Sequence, residues 1–246
     1  MFTGIITAMG RIVSLTHNDF GVRLVVDPCQ PKDWPAFPKP GDSVAVQGCC
    51  LTLAPKSSDP AGCLGFDLIR ETLEKTSLGR RPPGARVNLE LSLTPMTAMG
   101  GHFVQGHIDG TGVVVDVKAD ETQYVITVET PGAPGALGAP GAPGAPAGTQ
   151  AATSMTPYFV PKGSVTIDGV SLTLAAVDAP ARRFSVALIP TTLERTTLGE
   201  LKAGDTVNLE CDVIAKTVVH WLSLQKAAKA EKVDVGVLRA AGFVGE

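Results

Sequence analysis

Gly48-Cys49-Cys50-Leu51-Thr52-Leu53 returns further along the chain as Gly169-Val170-Ser171-Leu172-Thr173-Leu174. Each copy follows a turn and a short β-rich run, Gly41 to Gln47 in one case and Lys162 to Asp168 in the other. Repetition on this scale constrains the fold more than any local propensity, because one pattern written twice folds into one unit built twice. The repeat also reaches well beyond these residues. Gly4, Ile6, Gly10 and Val13 recur as Gly106, Ile108, Gly112 and Val115, a shift of 102. Ser43, Gly48, Leu51, Thr52 and Leu53 recur at a shift of 121. From Leu68 onward the shift is 120, so that Thr72-Leu73-Glu74 answers to Thr192-Leu193-Glu194 and Val87-Asn88-Leu89-Glu90 to Val207-Asn208-Leu209-Glu210. Because the shift grows from 102 to 121, the second copy carries 19 additional residues, which coincide with the Pro/Gly/Ala run at 131–150. That run has no side chains with which to build a core and reads as a mobile loop.

Within a copy, β-branched runs alternate with turn chemistry, the signature of an all-β barrel or sandwich. The first copy predicts strands at Arg11 to Leu15, Val22 to Val26, Ser43 to Val46, Leu51 to Ala54, Leu64 to Leu68 and Arg86 to Leu91. Pro28 to Pro40 reads as loop, since proline cannot sit in a central strand. Glu71 to Gly79 reads as a short helix closed by its glycine. Two small barrels are therefore expected, over 1–98 and 99–211, followed by a helical tail over 212–246. Ile214, Val218 and Leu222 share one helix face, and Val219, Trp221 and Leu224 widen it beyond a single stripe. A helix apolar on several sides needs more than one neighbour, and joining chains together is the favoured use here.

Composition narrows the function. A net charge of -3 and the lack of a dense Lys/Arg cluster argue against nucleic acid as a partner. No segment approaches the roughly 20 apolar residues of a membrane span, and no secretory leader is read at Met1-Phe2-Thr3. The 5 cysteines, two of them adjacent, fit reduced thiols in a cytoplasmic protein better than a disulfide framework.

Cys49 and Cys50 point to opposite faces of one strand, so a single one of them can reach a ligand. Ser171 takes the place of Cys50 in the second copy, which suggests a polar contact in both. His102 and His107 lie in Gly100-Gly101-His102-Phe103-Val104-Gln105-Gly106-His107-Ile108, where the repeats join. Their spacing matches no strong zinc pattern, and no metal site is expected. His107 falls where the first copy has Ile5, so one copy has gained a titratable group, as an asymmetric active site requires. Ser43 and Ser164, Thr52 and Thr173, and Thr72 and Thr192 are matched hydroxyls beside glycines, which read together as the lining of two similar pockets.

Taken in order, these residues resemble the riboflavin synthase α-chain family over essentially the full length. The resemblance is carried by Met1-Phe2-Thr3-Gly4, Gly48 to Thr52, Phe66 to Leu73, Gly100-Gly101-His102, Gly106-His107-Ile108, Ile167 to Thr173 and Leu188 to Glu194. It implies two six-stranded antiparallel Greek-key barrels and a C-terminal helix that holds a homotrimer together, with ligand sites between chains. It implies a dismutation in which one 6,7-dimethyl-8-ribityllumazine gives a four-carbon unit to another. The products are riboflavin and 5-amino-6-(D-ribitylamino)uracil, without metal or other cofactor. Lumazine synthase is raised as a further partner.

By the resemblance, one lumazine is held by Gly4, Ile5 and Ile6, by Cys50, Leu51 and Thr52, and by Asp67, Leu68, Ile69, Arg70, Glu71 and Thr72, with Phe2 and Thr3 closing the pocket. The other is held by Gly106, His107 and Ile108, by Lys162, by Ser171, Leu172 and Thr173, and by Leu188, Ile189, Pro190, Thr191 and Thr192, and His102 joins the binding residues. His107, Ser43, Cys50 and Thr173 become the acid-base set that removes a proton from the C7 methyl group of one ring and activates C7 of the other. Two features depart from the family: Gln47 stands where Asn is expected before Gly48, and the Pro/Gly/Ala run is foreign to it. The competing reading is a non-catalytic lumazine- or flavin-binding protein of the antenna type.

Overall fold

The computed structural model describes residues 1–18, 21–29, 34–120, 123–132 and 154–230. The greater part of the Pro/Gly/Ala run and the tail beyond Ala230 lie outside them. In the first half, β1 (Ala8–Asn18), β2 (Gly21–Asp27), β3 (Ser43–Val46), β4 (Cys49–Thr52), β5 (Leu64–Leu68) and β6 (Arg86–Leu91) form an antiparallel sheet in the order β4-β3-β6-β1-β2-β5. In the second, β7 (Gly110–Ala119), β8 (Tyr124–Glu129), β9 (Ser164–Ile167), β10 (Val170–Asp178), β11 (Arg183–Leu188) and β12 (Thr206–Cys211) close into a barrel in the order β10-β11-β8-β7-β12-β9. The return of β6 between β1 and β3, matched by β12 between β7 and β9, is the Greek-key step that the family resemblance implies.

Period-two alternation decides which side chains fill each barrel. Val44, Val46, Cys49 and Leu51 turn inward to meet Leu24, Phe66 and Leu89. Val165, Ile167, Val170 and Leu172 do the same against Ile126, Phe184 and Leu209. The barrels differ at the seam. β10 runs on to Asp178 along β11, whereas β4 stops at Thr52 ahead of Pro55, which has no N–H to give a ladder. There Ala54 N–H donates to the Gly65 carbonyl at 2.9 Å, and Arg23 reaches across to the Ala54 carbonyl at 2.7 Å and ion-pairs with Asp59.

The two barrels dock about a pseudo-twofold axis. Gln47 and Gly48 between β3 and β4, and Asp168 and Gly169 between β9 and β10, all have positive φ, at +49°, +78°, +48° and +82°. These are two-residue hairpin turns, and Gln47 is accommodated where the family pattern has Asn. Its longer side chain accepts Asn88 N–H at 2.6 Å through Oε1. The turns touch so closely that a Cβ on Gly48 would meet Gly169 N at 2.6 Å. Around them Asn208 Nδ2 donates to the Gln47 carbonyl at 2.9 Å and Asn88 Nδ2 to the Asp168 carbonyl at 3.0 Å. Burial pushes the Asp168 carboxyl above the usual carboxylate range, and Arg81 at 3.1 Å opposes it.

The segment leading into each barrel crosses to the other. Phe2 N–H donates to the Val104 carbonyl at 2.7 Å and Val104 N–H to the Phe2 carbonyl at 3.1 Å, on the same axis. Ile6 thus joins the core of the second barrel, and Ile108 packs against the first.

The short helix α1 (Arg70–Lys75) ends at Thr76, in extended conformation, and not at Gly79, which lies in a following 3-10 turn. Its counterpart α2 (Pro190–Arg195) likewise ends at Thr196. α3 (Val213–Ala230) leaves Ile214, Val218, Trp221, Leu222 and Leu224 exposed, so it does not pack between the barrels.

Candidate active site

A cavity of about 220 Å³ opens on the outer side of β4. Cys49 and Cys50 both border it, but the strand parity separates their roles. Cys49 is buried in the core, and burial pushes its thiol up to about 12, so it is neither nucleophile nor acid near neutral pH. Cys50 faces outward and half-exposed. Ile69, Glu71 and Thr72 enter from the start of α1, with Lys75 and Thr76 from its end. The far wall is Gly106, His107 and Ile108.

That wall is fixed on both sides. Cys50 N–H donates to the Gly106 carbonyl at 2.8 Å, and Glu210 on β12 accepts Gln105 N–H at 2.7 Å and Gly106 N–H at 2.9 Å. The arrangement repeats across the axis. Ser171 N–H donates to the Gly4 carbonyl at 2.8 Å, and Glu90 on β6 accepts Thr3 N–H at 2.7 Å and Gly4 N–H at 3.0 Å. Gly4 and Gly106 need glycine: φ is +76° and +78°, and a Cβ there would meet the Ser171 and Cys50 Cβ atoms at 2.6 Å.

This corrects the grouping drawn from the sequence. Gly106, His107 and Ile108 belong with Cys50 and α1, and Gly4, Ile5 and Ile6 with Ser171 and the second barrel. The reason is the crossing at Phe2 and Val104, which shift-counting along the chain cannot reveal. His102 stays with the second group, its Nδ1 2.7 Å from Ser171 Oγ. Burial holds its pKa below the ordinary histidine value, with Asp212 opposing, which favours the neutral ring.

The four residues of the acid-base set divide. His107 and Cys50 line one cavity, and Ser43, paired with Thr52 on β3, lies on the same outer face two positions from the partner of Cys50. Thr173, opposite Ser164 on β10, is exposed on the other barrel. Leu51, Leu68, Leu172 and Leu188 are core residues whose side chains face inward. Asp67 is engaged by Lys56 at 3.1 Å and Arg23 at 3.3 Å, and Arg70 pairs with Glu74 at 2.6 Å. Phe2 and Thr3 are buried at the axis. Ile69 and Ile189 stand exposed at equivalent helix starts, the latter followed by exposed Pro190 and Thr191 and half-buried Thr192. Lys162 has φ +68° where the first copy has Gly41 at +91°, a strained conformation kept by a residue with a long cationic side chain.

The sequence reading missed Lys75, Thr76, Glu90 and Glu210. The carboxylates were visible as Val-Asn-Leu-Glu in both copies, but a repeated residue gives no hint of what it holds.

The model of the lumazine binding domain matches twice, at residues 3–92 and 105–212. The chain belongs to the lumazine binding domain family. Members similar to it include the riboflavin synthase of Mycobacterium tuberculosis, 39% identical over 220 residues, covering 89% of this chain and 96% of the relative. That of Photobacterium phosphoreum is 33% identical over 99% of this chain and 100% of its own. Among solved structures, LumP complexed with 6,7-dimethyl-8-(1'-D-ribityl) lumazine superposes with TM-score 0.66 at 22% identity, over 86% of this chain and 99% of LumP. At that identity LumP supports the family fold and no more.

Proposed function

We propose that this protein is a riboflavin synthase: it converts two molecules of 6,7-dimethyl-8-ribityllumazine to riboflavin and 5-amino-6-(D-ribitylamino)uracil. The observation that carries the reading is the pair of matched sites and the way they differ: His107 borders the Cys50 cavity, whereas its counterpart Ile5 follows Gly4 beside Ser171. Two identical reactants call for two similar pockets, and their unequal fates, donor and acceptor, call for a difference between them. The stoichiometry is self-balancing. The four-carbon unit lost by one ring is gained by the other, and no external oxidant enters.

In this reading each ring rests on the outer face of a barrel, against Cys50 and α1 in one case and against Ser171 and α2 in the other. Backbone groups of the crossing segments and Thr52, Thr72, Thr173 and Thr192 offer polar contacts, and Lys162 a cation. His107 takes the proton from the C7 methyl group of one ring and assists activation of C7 on the other, with the Cys50 thiol and the Ser43 hydroxyl nearby. Positioned acid-base groups contribute about 10² to 10⁴-fold, and effective molarities of about 10⁵ to 10⁸ M are open to two oriented rings. Thr173 joins the acid-base set when the second barrel of a neighbouring chain faces the first. The exposed apolar face of α3 supports a homotrimer that brings this about. Cytoplasmic residence follows the same reading, and among the described residues no helix is long and apolar enough to cross a membrane.

The antenna reading draws on the likeness to LumP. Against it, both copies keep their glycines, hydroxyls and carboxylate, and His107 is present. Purified protein supplied with 6,7-dimethyl-8-ribityllumazine alone is expected to yield riboflavin and the uracil in equal amounts. Binding without turnover would favour the antenna reading.

A further inference from the structure

Glu90 and Glu210 occupy matched positions but hold their segments differently. Glu90 accepts, besides the two N–H groups, the Thr3 hydroxyl at 2.7 Å. Glu210 has the two N–H groups of Gln105 and Gly106, because position 105 supplies no hydroxyl. The segment it holds is the one that carries His107. Gly106 is pinned from the other side by Cys50 N–H at 2.8 Å, so the residue immediately before His107 is fixed between β4 and β12.

We propose that Glu210 is the positioning residue that sets His107 over the Cys50 cavity, and that its carboxylate form is the one that does so. An ionised carboxylate offers acceptors to both N–H groups at once. Protonation turns one of the two oxygens into a donor facing an N–H, and one bond is lost. The groups around Glu210 are Lys216 from α3, Asp109 from the segment before β7, Cys211 beside it on β12 and Cys49 from β4. Lys216 is shared, its Nζ lying 3.0 and 3.1 Å from the two Asp109 carboxylate oxygens. Burial is the largest influence and lifts the Glu210 carboxyl to about 7, the two N–H bonds and Lys216 opposing and Asp109 adding to the rise. Glu90 is also raised by burial, but its third bond and the chain's terminal ammonium support the charged form.

The inference rests on reading the Cys50–His107 cavity as the active one, and its test separates the two. In the wild type, kcat is expected to fall as pH drops through about 7. Glu210→Gln, which keeps one acceptor, should lose roughly tenfold in kcat, the worth of one hydrogen bond, with KM little changed and that limb absent. Glu90→Gln should keep the limb. Stability moves the other way: a carboxyl with a raised folded pKa binds its proton more tightly when folded, so wild-type stability rises as pH falls below about 7. Glu210→Gln lacks that dependence, and its Tm above pH 7 should be no lower than wild type. A parallel loss of Tm and activity would make Glu210 merely structural and overturn the proposal. Independently of turnover, the ¹⁵N amide signals of Gln105 and Gly106 should titrate with a midpoint near 7 and stop doing so in Glu210→Gln. Amides that stay fixed through that range refute the clamp. Amides that titrate in a protein making no riboflavin leave the clamp standing and refute the catalytic reading.

Discussion

β10 closes the second barrel by running unbroken to Asp178, whereas β4 stops short and leaves the first barrel's seam to Ala54 and Arg23. Along the shared axis the copies have not diverged in the same way: Asn88 and Asn208, Gly48 and Gly169, and Glu90 and Glu210 keep equivalent bonds. The contrast separates two kinds of constraint. Where one barrel's backbone lies against the other's, a change in either copy strains both. At a barrel edge a change is felt by one copy, and there they have drifted. The sites lie between these extremes, with Ile5 answered by His107 and Gly41 by Lys162.

The largest expected effect strikes the axis. Gly48→Ala must hold a positive φ and push its Cβ into Gly169, which together should cost roughly 2 to 6 kcal/mol. Gly41→Ala, also at positive φ but with open space around it, should cost about 1 kcal/mol. Urea unfolding of the two variants compares them, and equal losses would mean that the docking of the turns is unimportant. Next comes the cysteine pair. Cys49→Ser buries a hydroxyl in the first core and should cost about 1 to 3 kcal/mol, while Cys50→Ser, which writes the second copy's chemistry into the first, should stay within about 0.5 kcal/mol. Equal melting temperatures would contradict the assigned faces. The smallest effect on stability is expected for Lys162→Gly. It relieves the left-handed strain but adds chain entropy to the unfolded state, a net change under about 1 kcal/mol, while lumazine affinity measured by fluorescence should fall. Unchanged affinity would remove Lys162 from the site.

Most of the fold was legible because the repeat, the alternation and the turn residues agree. Strands β3, β5 and β6 fall at their expected bounds. What was hidden has physical reasons. The helix stop moved from Gly79 to Thr76 because Thr76 Oγ1 bonds the Thr72 carbonyl at 2.6 Å and the chain turns extended there. The seam in the first barrel depends on Arg23, whose partners Ala54 and Asp59 are 31 and 36 residues away. For the site, residue types were legible but not their grouping, since the exchange of segments is a tertiary event at Phe2 and Val104. A lone His107 opposite Ile5 pointed to asymmetry, yet the cavity it overlooks is not the one its position in the repeat suggests.

If the chemistry sits where the copies differ, it depends on His107, and His107→Ala is the variant that decides it. Followed by riboflavin appearance from 6,7-dimethyl-8-ribityllumazine, the variant should still bind the lumazine and form product about 10²-fold more slowly or worse. Undiminished riboflavin formation by His107→Ala would mean that the chemistry does not sit at the position where the copies differ.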